Sequence, residues 1–166
     1  MSKVFISAAV LASAVLLTAC GDAAPPPPPP PPPSEKGLFI SATDCAESGK
    51  LSAELCAQAI DTAVAIHEQQ APAFKSLRQC AAAMGPDRCD KSVDGHYRAR
   101  LQAFFVTMSN PPDAFPLYPG VNGFIGFRSA TKEAIDARNE DLVVSTAAMT
   151  VANENALLAA PPPDGE

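Results

Sequence analysis

Five cysteines and two histidines are the residues of this 166-residue chain whose chemistry depends most on spacing. Four of the cysteines, Cys45, Cys56, Cys80 and Cys89, fall in the stretch from Asp44 to Asp90; Cys20 stands apart. Four thiols can hold a zinc ion or form two disulfides. Structural zinc sites use close pairs such as C-x2-C, which aim two thiolates at one ion. Here ten residues separate the first two cysteines and eight the last two, and no histidine lies close to a cysteine. The spacing favours disulfides, and no metal is expected. Four cysteines allow three pairings. Local pairing, Cys45–Cys56 with Cys80–Cys89, is the expectation, because each pair brackets one loop or one chain reversal. The nested pairing, Cys45–Cys89 with Cys56–Cys80, would clamp two antiparallel helices and stays open on sequence alone.

Catalytic chemistry is not visible beside these thiols. His67 falls at the edge of an apolar helical stripe and reads as a packed or half-exposed helix histidine. His96 follows Asp94-Gly95 in a turn. Neither belongs to an H-E-x-x-H pair, and the chain has no G-x-S-x-G, no Walker loop and no dinucleotide fingerprint. Arg88, Lys91, Arg98 and Arg100 make a local basic patch, read as a solvated surface or, more sharply, as a contact for an acidic cell-wall group. No catalytic residue and no cofactor are assigned, and the expectation is a protein that is not an enzyme.

The elements that position the cysteines are helical. Ser52 can cap a helix start, with Glu54 in the first turn where the dipole favours it. Leu55, Ala59, Ala63, Ile66 and His67 recur at spacings of three and four, with Cys56, Ile60 and Val64 beside them. Pro72 ends this helix, which spans 52–70. A second helix begins at Ser76 with the capping pattern Ser76-x-x-Gln79, carries Leu77, Cys80, Ala81 and Met84 on its apolar side, and stops at Gly85-Pro86. Strands are expected at 38–41, 102–108, 123–129 and 142–144. Residues 110–113 read as a turn, 115–122 as a loop because of Pro116, Pro119 and Gly120, and 130–139 as a turn or short helix. The fold class is α+β: a small disulfide-stapled domain with one long and one short N-terminal helix followed by a few short β-strands, on a polyproline tether.

The remainder of the chain speaks to location. Lys3 and the apolar run Val4 to Thr18 make a targeting segment too short for the roughly 20 residues of a membrane span. It ends in Leu17-Thr18-Ala19-Cys20, which looks like a bacterial lipobox, with Cys20 as the lipid-attachment site and residues 1–19 as the signal peptide. Removing them takes away Lys3 and no acid, so the net charge goes from −6 to −7. Such a chain gains nothing electrostatically from nucleic acid. Lipid chains would hold it to the membrane. Gly21 follows the cysteine and Asp22 comes one place later, a pattern that points to the periplasmic face of the outer membrane. Residues 20–36 form a linker whose nine prolines, Pro25 to Pro33, cannot join a helix or sheet. In polyproline II form they make a rod of roughly 28 Å. The folded domain is expected over 37–159 and a disordered tail over 160–166.

The cysteine-rich stretch also resembles a known family. Asp44-Cys45, Gly49-Lys50, Cys56, Ala71-Pro72-Ala73-Phe74, Cys80, Met84-Gly85 and Cys89 are similar to the pattern of the YgiB-type family of bacterial lipoproteins. Pro116-Leu117-Tyr118 and Gly126-Phe127-Arg128-Ser129-Ala130 resemble that family's later segments, so the resemblance covers about residues 38–149. It implies a lipoprotein carrying a domain of unknown function and brings no catalytic residues. The reading is a lipid-anchored cell-envelope protein, a structural or adaptor module presented in the periplasm. Its partners would be the membrane through the lipid and peptidoglycan or another envelope protein. The alternative is an enzyme or enzyme accessory acting on a cell-envelope peptide or polyamine substrate.

Overall fold

The computed structural model of the chain describes residues 34–120 and 123–159. The expected signal peptide, Cys20, the proline run and the tail from 160 lie outside the described residues. Thirteen elements follow in order: β1 (Lys36–Phe39), α1 (Ala42–Glu47), α2 (Ala53–Gln70), β2 (Ala73–Phe74), α3 (Leu77–Met84), β3 (Cys89–Lys91), β4 (Tyr97–Ala99), β5 (Ala103–Thr107), β6 (Asp113–Pro119), β7 (Gly126–Arg128), β8 (Ala134–Asp136), β9 (Leu142–Val144) and α4 (Thr146–Ala159).

Serine hydroxyls start all four helices among the described residues. Ser41, Ser52, Ser76 and Ser145 accept from the backbone N–H of Asp44, Leu55, Gln79 and Ala148, at 3.1, 3.3, 3.2 and 3.0 Å. Each bond satisfies one donor that has no partner inside its helix. Asp44 does more than fill the first turn of α1. One of its carboxylate oxygens accepts from Ile40 N–H at 2.9 Å and from the Ser145 hydroxyl at 2.6 Å, joining the starts of α1 and α4.

Six strands form one sheet in the order β8-β7-β6-β5-β1-β9. Its pairs are antiparallel except β1 with β9, which run parallel. Side chains alternate across it. Phe39, Phe104, Val106 and Ala114 join α2's Cys56, Ala59, Ile60 and Ala63 on one face. Leu38, Ala103, Leu117 and Phe127 join α4's Ala148 and Ala152 on the other. The sheet is thus the middle of three layers, which explains why Ala103 to Val106 is apolar without alternation. A second, three-stranded sheet, β2-β4-β3, meets α3 around Cys80, Met84, Ala99 and Tyr118.

Both disulfides take the local pairing. Cys45 in α1 is bonded to Cys56 in α2, and Cys80 in α3 to Cys89 at the start of β3. Cys45, Cys56 and Cys80 are buried. The first bridge lies in the α2-facing core and the second in the cluster under α3.

The α+β class, the two sequence-marked helices and the expected strands are present, with four differences. Residues 115–122 are not simply a loop: β6 runs through Pro116 to Pro119. The β6–β7 register begins only at Tyr118, so Pro116 has a strand neighbour on one side only, and Pro119 ends the strand. Residues 130–139 hold β8 rather than a helix, because Ser129 and Glu133 close a tight hairpin. Leu77 and Val64 are exposed despite their place in the helical patterns. Helices α1 and α4 and the small sheet β2-β4-β3 have no counterpart among the expected elements.

A β-carbon at Gly126 would collide with the backbone carbonyl of Ile135 on β8, and a backbone atom cannot swing away. Gly126→Ala is expected to destabilise by about 1–3 kcal/mol, as other overpacked sites do. Circular dichroism melting of the two proteins checks it; an unchanged Tm overturns it. Each disulfide closes a short loop worth about 3 kcal/mol in the chain-entropy model. Against a total stability of about 5–15 kcal/mol, losing both is a large fraction. Non-reducing peptide maps should join Cys45 to Cys56 and Cys80 to Cys89, and reduction should lower Tm sharply.

Candidate functional site

Two neighbouring segments, β2 and α3, meet a third that is distant in sequence, the β7–β8 hairpin, at one cleft. Pro72 ends α2 and turns the chain into β2, whose Ala73 and Phe74 pair with Arg98 and Tyr97. Ser76 then starts α3, and Gly85, at φ +100°, reverses the chain after Met84. The third segment is the β7–β8 hairpin. Lys132 N–H donates to the Ser129 carbonyl at 3.0 Å, and Lys132 takes the left-handed conformation at φ +70° that closes the turn. The resulting cleft is about 520 Å³, lined by Phe74, Met84, Arg128, Ser129 and Lys132 with Pro72 at its rim. That volume suits a small ligand.

Arg128 is the most constrained cation of the site. It lies directly across from Tyr118 in the β6–β7 register. Its Nη2 donates to the Ala83 carbonyl at 2.6 Å, capping the last turn of α3, and touches the Met84 sulfur. Its Nε is buried and has no partner among the described residues. Burial lowers the Arg128 pKa from its ordinary value. Among the described residues neither Arg128 nor Lys132 forms a salt bridge. The nearest acid along the hairpin, Glu133, lines a separate hollow of about 260 Å³ beside Ile66 and Phe115.

Most of this lining comes from the family-like segments Ala71-Pro72-Ala73-Phe74, Met84-Gly85 and Gly126-Phe127-Arg128-Ser129-Ala130, while the two histidines fall elsewhere. His67 Nδ1 is 3.2 Å from the hydroxyl of Tyr118, with the rings 5.8 Å apart. Burial pushes the Tyr118 phenol up to about 12. The His67 pKa is lowered, first by burial and then by Arg98, while Glu68 and Asp90 act against this. This is the half-buried helix histidine of the sequence reading, now with a named partner. His96 sits in the exposed turn, its ring nitrogen 3.4 Å from the Asp94 carboxylate. The Ser92 hydroxyl, then the His96 backbone N–H, lower the Asp94 pKa to about 2.

The basic patch is largely engaged within the chain. Arg88 donates to the Gln102 side chain at 2.8 Å, Arg98 to the Glu68 carbonyl at 2.9 Å, and Arg100 makes a bidentate pair with Asp90. These contacts hold β3 and β4 to α2 and β5. Sequence reasoning passed over Arg128 and Lys132 as cations. The signal was present in Phe127-Arg128-Ser129, a charge directly following an apolar run, but it needed the α3 terminus to give it meaning.

Residues 33–159 match the family described as "Protein of unknown function (DUF1190)". The chain belongs to that family. The match takes in every described helix and strand of this DUF1190 protein, the cleft included. No curated protein and no solved structure matches it.

A lowered histidine pKa means that the unfolded chain takes up the proton first as pH falls. The contribution of neutral His67 is complete above the unfolded value of 6.5 and is lost as pH falls toward the lower folded value. Tm should therefore decline between pH 7 and pH 5, a window in which exposed carboxylates stay charged. His67→Gln should flatten that decline. Equal slopes in the two proteins would refute the assignment.

Proposed function

We propose that this DUF1190 protein is a lipid-anchored, non-enzymatic module of a bacterial cell envelope. It presents a disulfide-stapled binding domain in the periplasm, on the periplasmic face of the outer membrane, through a polyproline spacer. The observation that carries the reading is the pair of formed disulfides. Such bonds persist in oxidising compartments and are rare where thiols are kept reduced. The lipobox ending at Cys20 supports the anchor, and the likeness to the YgiB-type lipoproteins supports the same placement.

What the histidines do supports an adaptor over an enzyme. His67 is tied to a buried phenol of raised pKa, and His96 is on an exposed turn; neither faces the cleft around Arg128. A general base needs to reach the proton it removes and to have a pKa near the working pH. The cleft offers instead two cations, a hydroxyl and apolar walls, which is the composition of a recognition site. Peptidoglycan or another envelope protein is the partner such a module would hold.

Expression of the full chain with an alkyne palmitate analogue tests the anchor. The parent should be labelled and found in the membrane fraction, while Cys20→Ser should lose the label and accumulate as uncleaved precursor. Labelling of the serine variant would overturn the lipid site. Cross-linking in intact cells, read by mass spectrometry, should join the domain to an envelope protein or to wall fragments; cross-links confined to cytoplasmic proteins would overturn the location.

A further inference from the structure

We propose that the cleft between α3, β2 and the β7–β8 hairpin binds the C-terminal carboxylate of a short peptide, with Arg128 and Lys132 as its cationic end. This deepens the adaptor reading and rests on it only for the compartment in which the peptide is met.

Charge is the first support. The chain carries 18 acids against 12 Lys and Arg, and the salt bridges among the described residues engage Lys50, Arg98, Arg100 and Arg138. Among the described residues Arg128 and Lys132 pair with no carboxylate, and no described acid lines the cleft that both of them line. A partly buried guanidinium is stabilised by a paired anion; here the chain supplies only a carbonyl and a thioether. Nη2 is held against Ala83 and Nε is buried, so the guanidinium is fixed in place and Nη1 is the donor left for an incoming carboxylate. The same two cations also line a second hollow of about 240 Å³, beside Phe124 and Phe127.

Backbone geometry selects a peptide over a bare anion. β2 is an edge strand of the three-stranded sheet, and its Ala73 and Phe74 form one wall of the cleft. An edge strand presents main-chain donors and acceptors that an extended peptide can pair with. A peptide lying along β2 with its carboxylate on Arg128 and Lys132 would place its last side chains against Phe74 and Met84. The cleft volume of about 520 Å³ is enough for the last residues of such a peptide. Ser129, whose hydroxyl is 2.8 Å from that of Thr131, borders the carboxylate end.

The test uses the full chain purified in detergent and isothermal titration with five probes. These are N-acetyl-L-alanyl-L-alanine, its D,D form, the C-terminal amide of each, and sodium acetate as the bare anion. At least one dipeptide acid should bind, and its amide should bind at least about tenfold more weakly. Lys132→Gln, an exposed change, should fold normally and weaken binding several-fold. Arg128→Gln should weaken it at least about tenfold, and Arg128→Lys less than that. Tighter binding of the L form points to protein C-termini as the source, and of the D form to wall peptides. Equal binding means that the site reads carboxylate and backbone alone. Because Arg128 also caps α3, its variants count only at an unchanged Tm; the amide and Lys132→Gln decide the matter without them. The proposal is overturned if neither acid binds at millimolar concentration, if amides bind as well as acids, if acetate binds as tightly as a dipeptide, or if Lys132→Gln is without effect. None of these results depends on lipidation or localisation, so the cleft and the anchor can fail separately.

Discussion

Small side chains on the inner faces of two helices set the terms for this fold. α2 meets the sheet through Cys56, Ala59, Ile60 and Ala63, and α4 through Ala148, Ala152 and Ala156. An alanine buries little apolar area, and burial stabilises by about 25 cal/mol per Å². The larger residues of the core therefore come mainly from the sheet, from Leu38, Phe39, Phe104, Leu117 and Phe127. A six-stranded sheet covered on both faces by alanine-rich helices is well ordered in space but modest in driving force.

The cross-links sit where that modest core leaves the chain least restrained. α1 is six residues long, too short to hold its own place, and Cys45–Cys56 fastens it to α2 inside the main cluster. Asp44 adds a polar tie from the same turn to Ser145 at the head of α4. α3 is eight residues long and is anchored to the small sheet by Cys80–Cys89 and to the large sheet by Arg128. The two sheets and the four described helices are thus joined by a few specific bonds as well as by packing.

The cleft is a by-product of the same economy. α3 is short, β2 has two residues, and the β7–β8 hairpin turns tightly, so the three leave a gap that side chains do not fill. Arg128 has a structural task there, capping α3, and a charge left over. That combination makes a recognition site possible without a dedicated element, and it places the site at the seam of two sheets.

Local chemistry in the sequence determined much of this protein: the caps at Ser52 and Ser76, the ends at Pro72 and Gly85, the strands at β1, β5 and β9, and a cysteine spacing that favours disulfides over a metal site, with the choice between local and nested pairing left to the structure. These features act over a few residues, and residue type alone reveals them. β6 was hidden because two prolines mark a loop by local rules, and only the register shows that β6 lacks its second neighbour at Pro116. β8 was hidden because three residues, Ala134 to Asp136, are too few to show a period. The tertiary structure alone decided the candidate site. Arg128 and Phe74 are 54 positions apart in the chain, and no periodicity links them. Their meeting depends on α2 ending at the sheet's rim, on α3 folding back, and on β7 adding to β6 rather than pairing elsewhere. Long-range pairing of that kind is set by the summed burial of the whole core, which no local window of sequence contains.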